Sequence, residues 1–260
     1  MTYTNNSHFD HFLGEQIKRI RKDLVSHFSP ESIIADGSHG RGELVIFENH
    51  VGETTMLSDM DLQIVSKKSF SRKYMLNYSD EISKKYGFEI NVRLTHPRIF
   101  SNYESKDLKY STSLPSISTY ERRYSSITLH GFDFTDYMPE IESKNIPTWE
   151  GIRLVFNRIG ECLKYSKPEY LKSIKDINKS SDEFTKFHYS KIKCLLACLD
   201  AILIHNNIYH WSTNKKAEIF YNEICKKYDF LNNDSKIYNS ISKALDIKLN
   251  NCDIFTEISW

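Results

Sequence analysis

The stretch from Ile33 to Val65, IIADGSHGRGELVIFENHVGETTMLSDMDLQIV, decides how the chain reads. A short apolar run, Ser32 to Asp36, predicts a buried strand that ends in the pair Gly37-Ser38. A Gly-Ser turn opening a helix offers backbone N–H groups and a hydroxyl to a phosphate. Downstream, Asp59 and Asp61 stand one residue apart, with Leu62, Ile64 and Val65 directly behind them. Residues i and i+2 of a strand point to the same face. Two carboxylates side by side repel one another, and a divalent cation between their oxygens removes that cost. Turn and carboxylates together point to a nucleoside triphosphate held with Mg²⁺.

GSHGRGE followed by LSDMDLQIV resembles the signature of the nucleotidyltransferases of the DNA polymerase beta superfamily: a Gly-Ser turn, a gap, then Asp-x-Asp in a strand. Twenty residues separate Ser38 from Asp59, more than in the shortest members. The extra length reads as a small hairpin, with Leu44 to Phe47 going out, Glu48 to Gly52 turning and Thr54 to Leu57 returning.

The resemblance implies an α+β fold, with an N-terminal mixed β-sheet flanked by helices and a C-terminal all-α region. It implies transfer of a nucleoside monophosphate to an acceptor hydroxyl or phosphate, with release of pyrophosphate. Asp59, Asp61 and a third carboxylate would carry catalysis and two Mg²⁺ ions, with Mn²⁺ as a substitute. Gly37, Ser38 and Arg41 would bind the nucleotide, and the helical region would lend a lysine, for which Lys193 is the candidate. Arg41 has a second reading, a pairing with Glu43. The third carboxylate is expected on the next strand, read over Phe88 to Leu94, where Glu89 is the acidic residue; Asn91 competes for the aligned position. With Asn91 there, a nucleotide-binding or interaction protein without catalysis becomes the alternative.

The chain has 260 residues, 40% hydrophobic, with 35 basic against 34 acidic side chains. Near neutrality gives no general argument for a long nucleic acid, because tracking phosphates needs clustered Lys and Arg. A small molecule or glycan is therefore the preferred acceptor, ahead of protein or RNA. No apolar run approaches the ~18 residues that span a bilayer, and Met1 to Asp10 lacks the pattern of a signal peptide. Five cysteines, an odd number without C-x-x-C, favour a reducing cytoplasm over a disulfide framework.

Outward from the central stretch, Phe9, Phe12, Leu13, Ile17, Ile20, Leu24 and Phe28 follow helical spacing, and residues 69–86 form a second amphipathic helix. Residues 96–119 read as polar loop, and Tyr120 to Tyr124 followed by Ile127 to Gly131 as an apolar strand ending in glycine. Pro139 to Pro147 marks the boundary between a domain at 1–145 and a helical domain at 146–260. Helices are expected over 148–165, 182–205, 213–228 and 234–249, with Thr148 capping the first. The pair Asn157-Arg158 is a further candidate for facing a nucleotide.

Overall fold

The computed structural model describes residues 3–4, 7–48, 54–101, 116–167, 182–232 and 235–250. The chain divides into two compact units, Met1–Glu142 and Ser143–Trp260. The fold is α+β, with a four-stranded mixed sheet flanked by helices and a helical C-terminal region.

In the first unit, α1 (Ser7–Phe28) precedes β1 (Ser32–Asp36), and α2 (Gly37–Gly40) follows it at once. β2 (Ile46–Glu48) and β3 (Thr54–Met56) form a separate antiparallel hairpin. Then come β4 (Met60–Val65), α3 (Arg72–Tyr86), β5 (Ile90–Thr95), α4 (Arg98–Ser101), α5 (Ile117–Ser125) and β6 (Ile127–Gly131). The sheet order is β5-β4-β1-β6. β1 is antiparallel to both β4 and β6, and β4 is parallel to β5.

Strand alternation sorts the side chains. Ile33 and Ala35 of β1, Met60, Leu62 and Ile64 of β4, and Ile90 and Val92 of β5 share one face and one core with α1 and α3. Along α1 the stripe Leu13, Ile17, Ile20, Leu24, Phe28 is buried. Burying each such side chain contributes about 1.5–3 kcal/mol. Phe12, grouped with that stripe by its apolar character, is instead 47% exposed, because it stands a full residue step away from Leu13 on the helix circumference. Helix α3 runs between a Ser71 N-cap and a left-handed Gly87. Its hydroxyls also close the sheet edge: Ser79 Oγ accepts from the Val92 amide at 2.9 Å and Ser83 Oγ from the Ile90 amide at 2.8 Å. Edge amides left bare would invite another strand.

Residues 120–124, expected to belong to an apolar strand, are helical. Ser116 and Thr119 form a reciprocal capping box at the start of α5, and the strand begins only at Ile127. α5 also replaces the last part of the expected polar loop; residues 102–115 of that loop lie outside the described residues.

The second unit contains α6 (Thr148–Tyr165), α7 (Asp182–His205), α8 (Thr213–Ile219), α9 (Cys225–Lys227) and α10 (Lys236–Asn250), with a π-helical turn over Phe220–Ile224. Pro147, not Thr148, holds the N-cap position of α6, and no side chain caps it. Proline suits a helix start because its missing N–H would have had no partner there. α6 and α7 run antiparallel: Gly151 lies against Ala201, and Glu161 meets Lys193. Among the described residues no helix is long and apolar enough to cross a membrane.

Candidate functional site

The turn between β1 and α2 depends on glycine at two points. Gly37 takes φ +61°, a left-handed conformation that costs other residues energy. A Cβ placed on Gly40 would stand 2.6 Å from the carbonyl oxygens of both Ala35 and Ser125, too close for any side chain. The turn is thus pressed between the end of β1 and the end of α5.

Asp61 stands against this turn. A Cβ on Gly37 would lie 3.2 Å from Asp61 Oδ2. Asp61 is also the direct cross-strand partner of Asp36, the last residue of β1. Like charges directly opposite destabilise a sheet, and this pair is offset on both sides. Ser126 Oγ donates to Asp36 Oδ1 at 2.6 Å, and Arg122 Nε donates to Asp36 Oδ2 at 3.2 Å. Arg93 Nη2 meets Asp61 Oδ1 at 3.5 Å, from a largely exposed position. Asp59, two residues before Asp61, is half-buried at the entry to β4.

β5 fixes the neighbouring positions. Asn91 is the strand partner of Asp61, so an amide stands where a carboxylate was sought. Glu89 lies two residues earlier, just before the strand; its carbonyl accepts from the Met60 amide at 2.9 Å, and its side chain is exposed. Gly37, Ser38, Asp59 and Asp61 therefore come together at one end of the sheet. Arg41 shows the pairing with Glu43, Nε to Oε2 at 2.9 Å, and a second ion pair with Glu121 at 3.2 Å. Lys193 belongs to the second unit. It meets Glu161 at 3.1 Å and lies over the Tyr189 ring. Arg158 binds the same carboxylate at 2.5 Å.

Sequence reasoning missed Asp36, Arg93, Arg122 and Ser126. Alternation alone places Asp36 on the face of Asp61 and Arg93 on the face of Asn91; Arg122 and Ser126 arrive from 86 and 90 residues away and have no local signal. The reading also passed over His39. Its ring is fully buried beside Tyr3, with neither nitrogen hydrogen-bonded, and burial pushes its pKa down to about 4. The ring is therefore neutral at neutral pH.

Among the described residues no three His, Cys, Asp or Glu side chains gather to hold a metal by themselves. Mg²⁺ does not need such a cage; it is ordinarily held by one or two carboxylates plus substrate phosphates. The closeness of Asp61 Oδ2 to Gly37 suits that arrangement, because a phosphate on the turn and a cation on the carboxylate would be neighbours. Comparison of the chain with family models, curated proteins and solved structures returns no match.

Proposed function

We propose that the chain is a Mg²⁺-dependent nucleotidyltransferase that moves a nucleoside monophosphate from a nucleoside triphosphate to an acceptor hydroxyl or phosphate. The observation that carries this reading is the closeness of the Gly37 turn to the Asp61 carboxylate, whose Oδ2 leaves only 3.2 Å to a Cβ placed on Gly37. It supports the reading because a phosphate on the turn's backbone and a cation on the carboxylate would belong to one ligand.

Gly37 and Ser38 would hold the outer phosphates through backbone N–H groups and the Ser38 hydroxyl. Asp59 and Asp61 would hold Mg²⁺, which when bound supplies charge neutralisation along the triphosphate. The acceptor oxygen forms a bond to the α-phosphorus while the bond from that phosphorus to the bridging oxygen breaks, and pyrophosphate leaves. Glu89, beside the entry to β4, would take the acceptor's proton. Asp36 is a positioning residue: pinned by Ser126 and Arg122, it fixes the end of β1 and with it the turn. Most of the rate would come from alignment and charge stabilisation. A small molecule or glycan is the preferred acceptor, since the chain's 35 basic and 34 acidic residues give no excess for tracking a long polyanion.

One observation favours a second reading. Asn91 faces Asp61 where a third carboxylate would complete the set, which suits a protein that binds a nucleotide without transferring it. A pyrophosphate-release screen over four triphosphates and a panel of acceptors, with Mg²⁺ or Mn²⁺, separates the two. Release that disappears in both Asp59→Asn and Asp61→Asn supports the enzyme. Metal-dependent binding with no release from any acceptor supports the second reading.

A further inference from the structure

Helix α6 is apolar on two sides. One side packs on α7, so tightly that a Cβ on Gly151 would stand 2.8 Å from Ala201 Cα. The other side carries Trp149, Ile152, Phe156, Ile159 and Leu163, whose exposures are 54, 54, 68, 39 and 67%. Their spacing alternates three and four residues along the helix. That is the seam of a helix pair, narrower than the stripe by which a helix beds into a globular core.

Two details point to a second copy of this chain as the occupant. The first is symmetry about Phe156. An antiparallel copy centred there sets Phe156 on its counterpart, Trp149 on Leu163, Ile152 on Gly160 and Ile159 on Arg153, because each pair is spaced equally to either side. The second is Gly160 itself. Among the described residues a Cβ there would meet nothing within 4 Å, so packing among them gives no reason for glycine. Glycine is among the poorest residues for a helix interior. A neighbouring helix that must come close supplies the reason. The bordering charges argue in the same direction. Arg153 is bonded to Glu150 and Arg158 to Glu161, so the seam has no field of one sign to attract a polyanion or a basic partner.

We propose that the exposed seam of α6 is a homodimer interface formed by antiparallel pairing about Phe156. The seam offers roughly 500 Å² of apolar surface per copy, the upper range for a patch on a monomer. The pair would bury on the order of 1,000 Å², the lower bound of a specific interface. The dimer is accordingly concentration-dependent, with dissociation in the micromolar range.

Sedimentation velocity on the full chain, over about 1–100 µM, tests this. The wild type shifts from monomer toward dimer as concentration rises. Phe156→Glu weakens the association at least about tenfold, with the far-UV circular dichroism spectrum unchanged. Gly160→Gln supplies the second variant, because a Cβ there meets nothing within 4 Å among the described residues. It leaves the fold intact and also weakens association about tenfold. A wild type that stays monomeric across the range overturns the proposal, whatever else then covers the seam. Two folded variants that dimerise like the wild type overturn it equally.

Discussion

The two faces of the sheet come from the same strands, and the difference between them shows how this unit divides stability from chemistry. On one face Met60, Leu62, Ile64, Ile33 and Ile90 close a dry core with α1 and α3. On the other, Asp61, Asp36, Asn91 and Arg93 line up across three strands beside a glycine turn. Among the described residues that second face carries a small apolar cluster, Ile34, Val65, Phe100 and Met138, and it sits toward the far end. Between the two ends lies a polar pair, Gln63 Nε2 donating to Thr95 Oγ1 at 2.5 Å. Alternation of period two lets one strand serve both purposes, so substitutions one residue apart should have opposite consequences.

The sharpest form of that contrast is Asp61→Asn against Ile64→Ala. Asp61→Asn should cut nucleotidyl transfer by about 1,000-fold or more, while the unfolding midpoint stays within a few degrees. Ile64 is fully buried, so Ile64→Ala should cost about 2–5 kcal/mol in urea unfolding. Transfer per folded molecule should be unchanged. If the two variants damaged stability and activity alike, the division between faces would fail.

His39 sharpens the comparison, because it is a titratable group sealed beside Tyr3 on the apolar side. Its folded pKa is lowered from 6.5 to about 4 by burial. Above pH 6.5 neither the folded nor the unfolded chain binds a proton there, so its full stability is present. As pH falls from 6.5 toward 4, the unfolded chain takes up the proton and the folded chain does not, so stability is lost across that window. The loss approaches roughly 3 kcal/mol, at about 1.4 kcal/mol per pH unit. Urea unfolding at pH 7.5 and at pH 5 should show it, and His39→Leu should flatten the difference between the two. The smallest effect belongs to Ser126→Ala. It removes the 2.6 Å hydrogen bond to Asp36 and should cost about 1 kcal/mol, with a modest fall in transfer as the turn loosens.

Legibility in the sequence followed the range of the signal. The strand before Gly37 and the alternation through Asp61 are local patterns, and they were readable; so was the stripe from Leu13 to Phe28, apart from Phe12. The helix over Ile117–Ser125 was not, because its start is set by the reciprocal hydrogen bonds of Ser116 and Thr119, and nine residues next to a strand are too few for their period to stand out. Within the candidate site, Asp59 and Asp61 announce themselves as a pair. Asp36 is legible only once β1 and β4 are known to be antiparallel neighbours with residue 36 opposite 61. Arg122 depends on a helix that returns from far along the chain.

The central claim is that Asp61 and the Gly37 turn share one ligand, a triphosphate with its cation. Thermal unfolding with each of four nucleoside triphosphates, with and without Mg²⁺, on wild type and Asp61→Asn, tests it most directly. At about 100 times Kd, a ligand that binds only the folded state adds roughly 2.7 kcal/mol. The midpoint of the wild type should rise by several degrees with at least one triphosphate, only when Mg²⁺ is present, and Asp61→Asn should not respond. A wild type indifferent to every triphosphate, or an Asp61→Asn variant that responds as strongly as the wild type, would contradict the account.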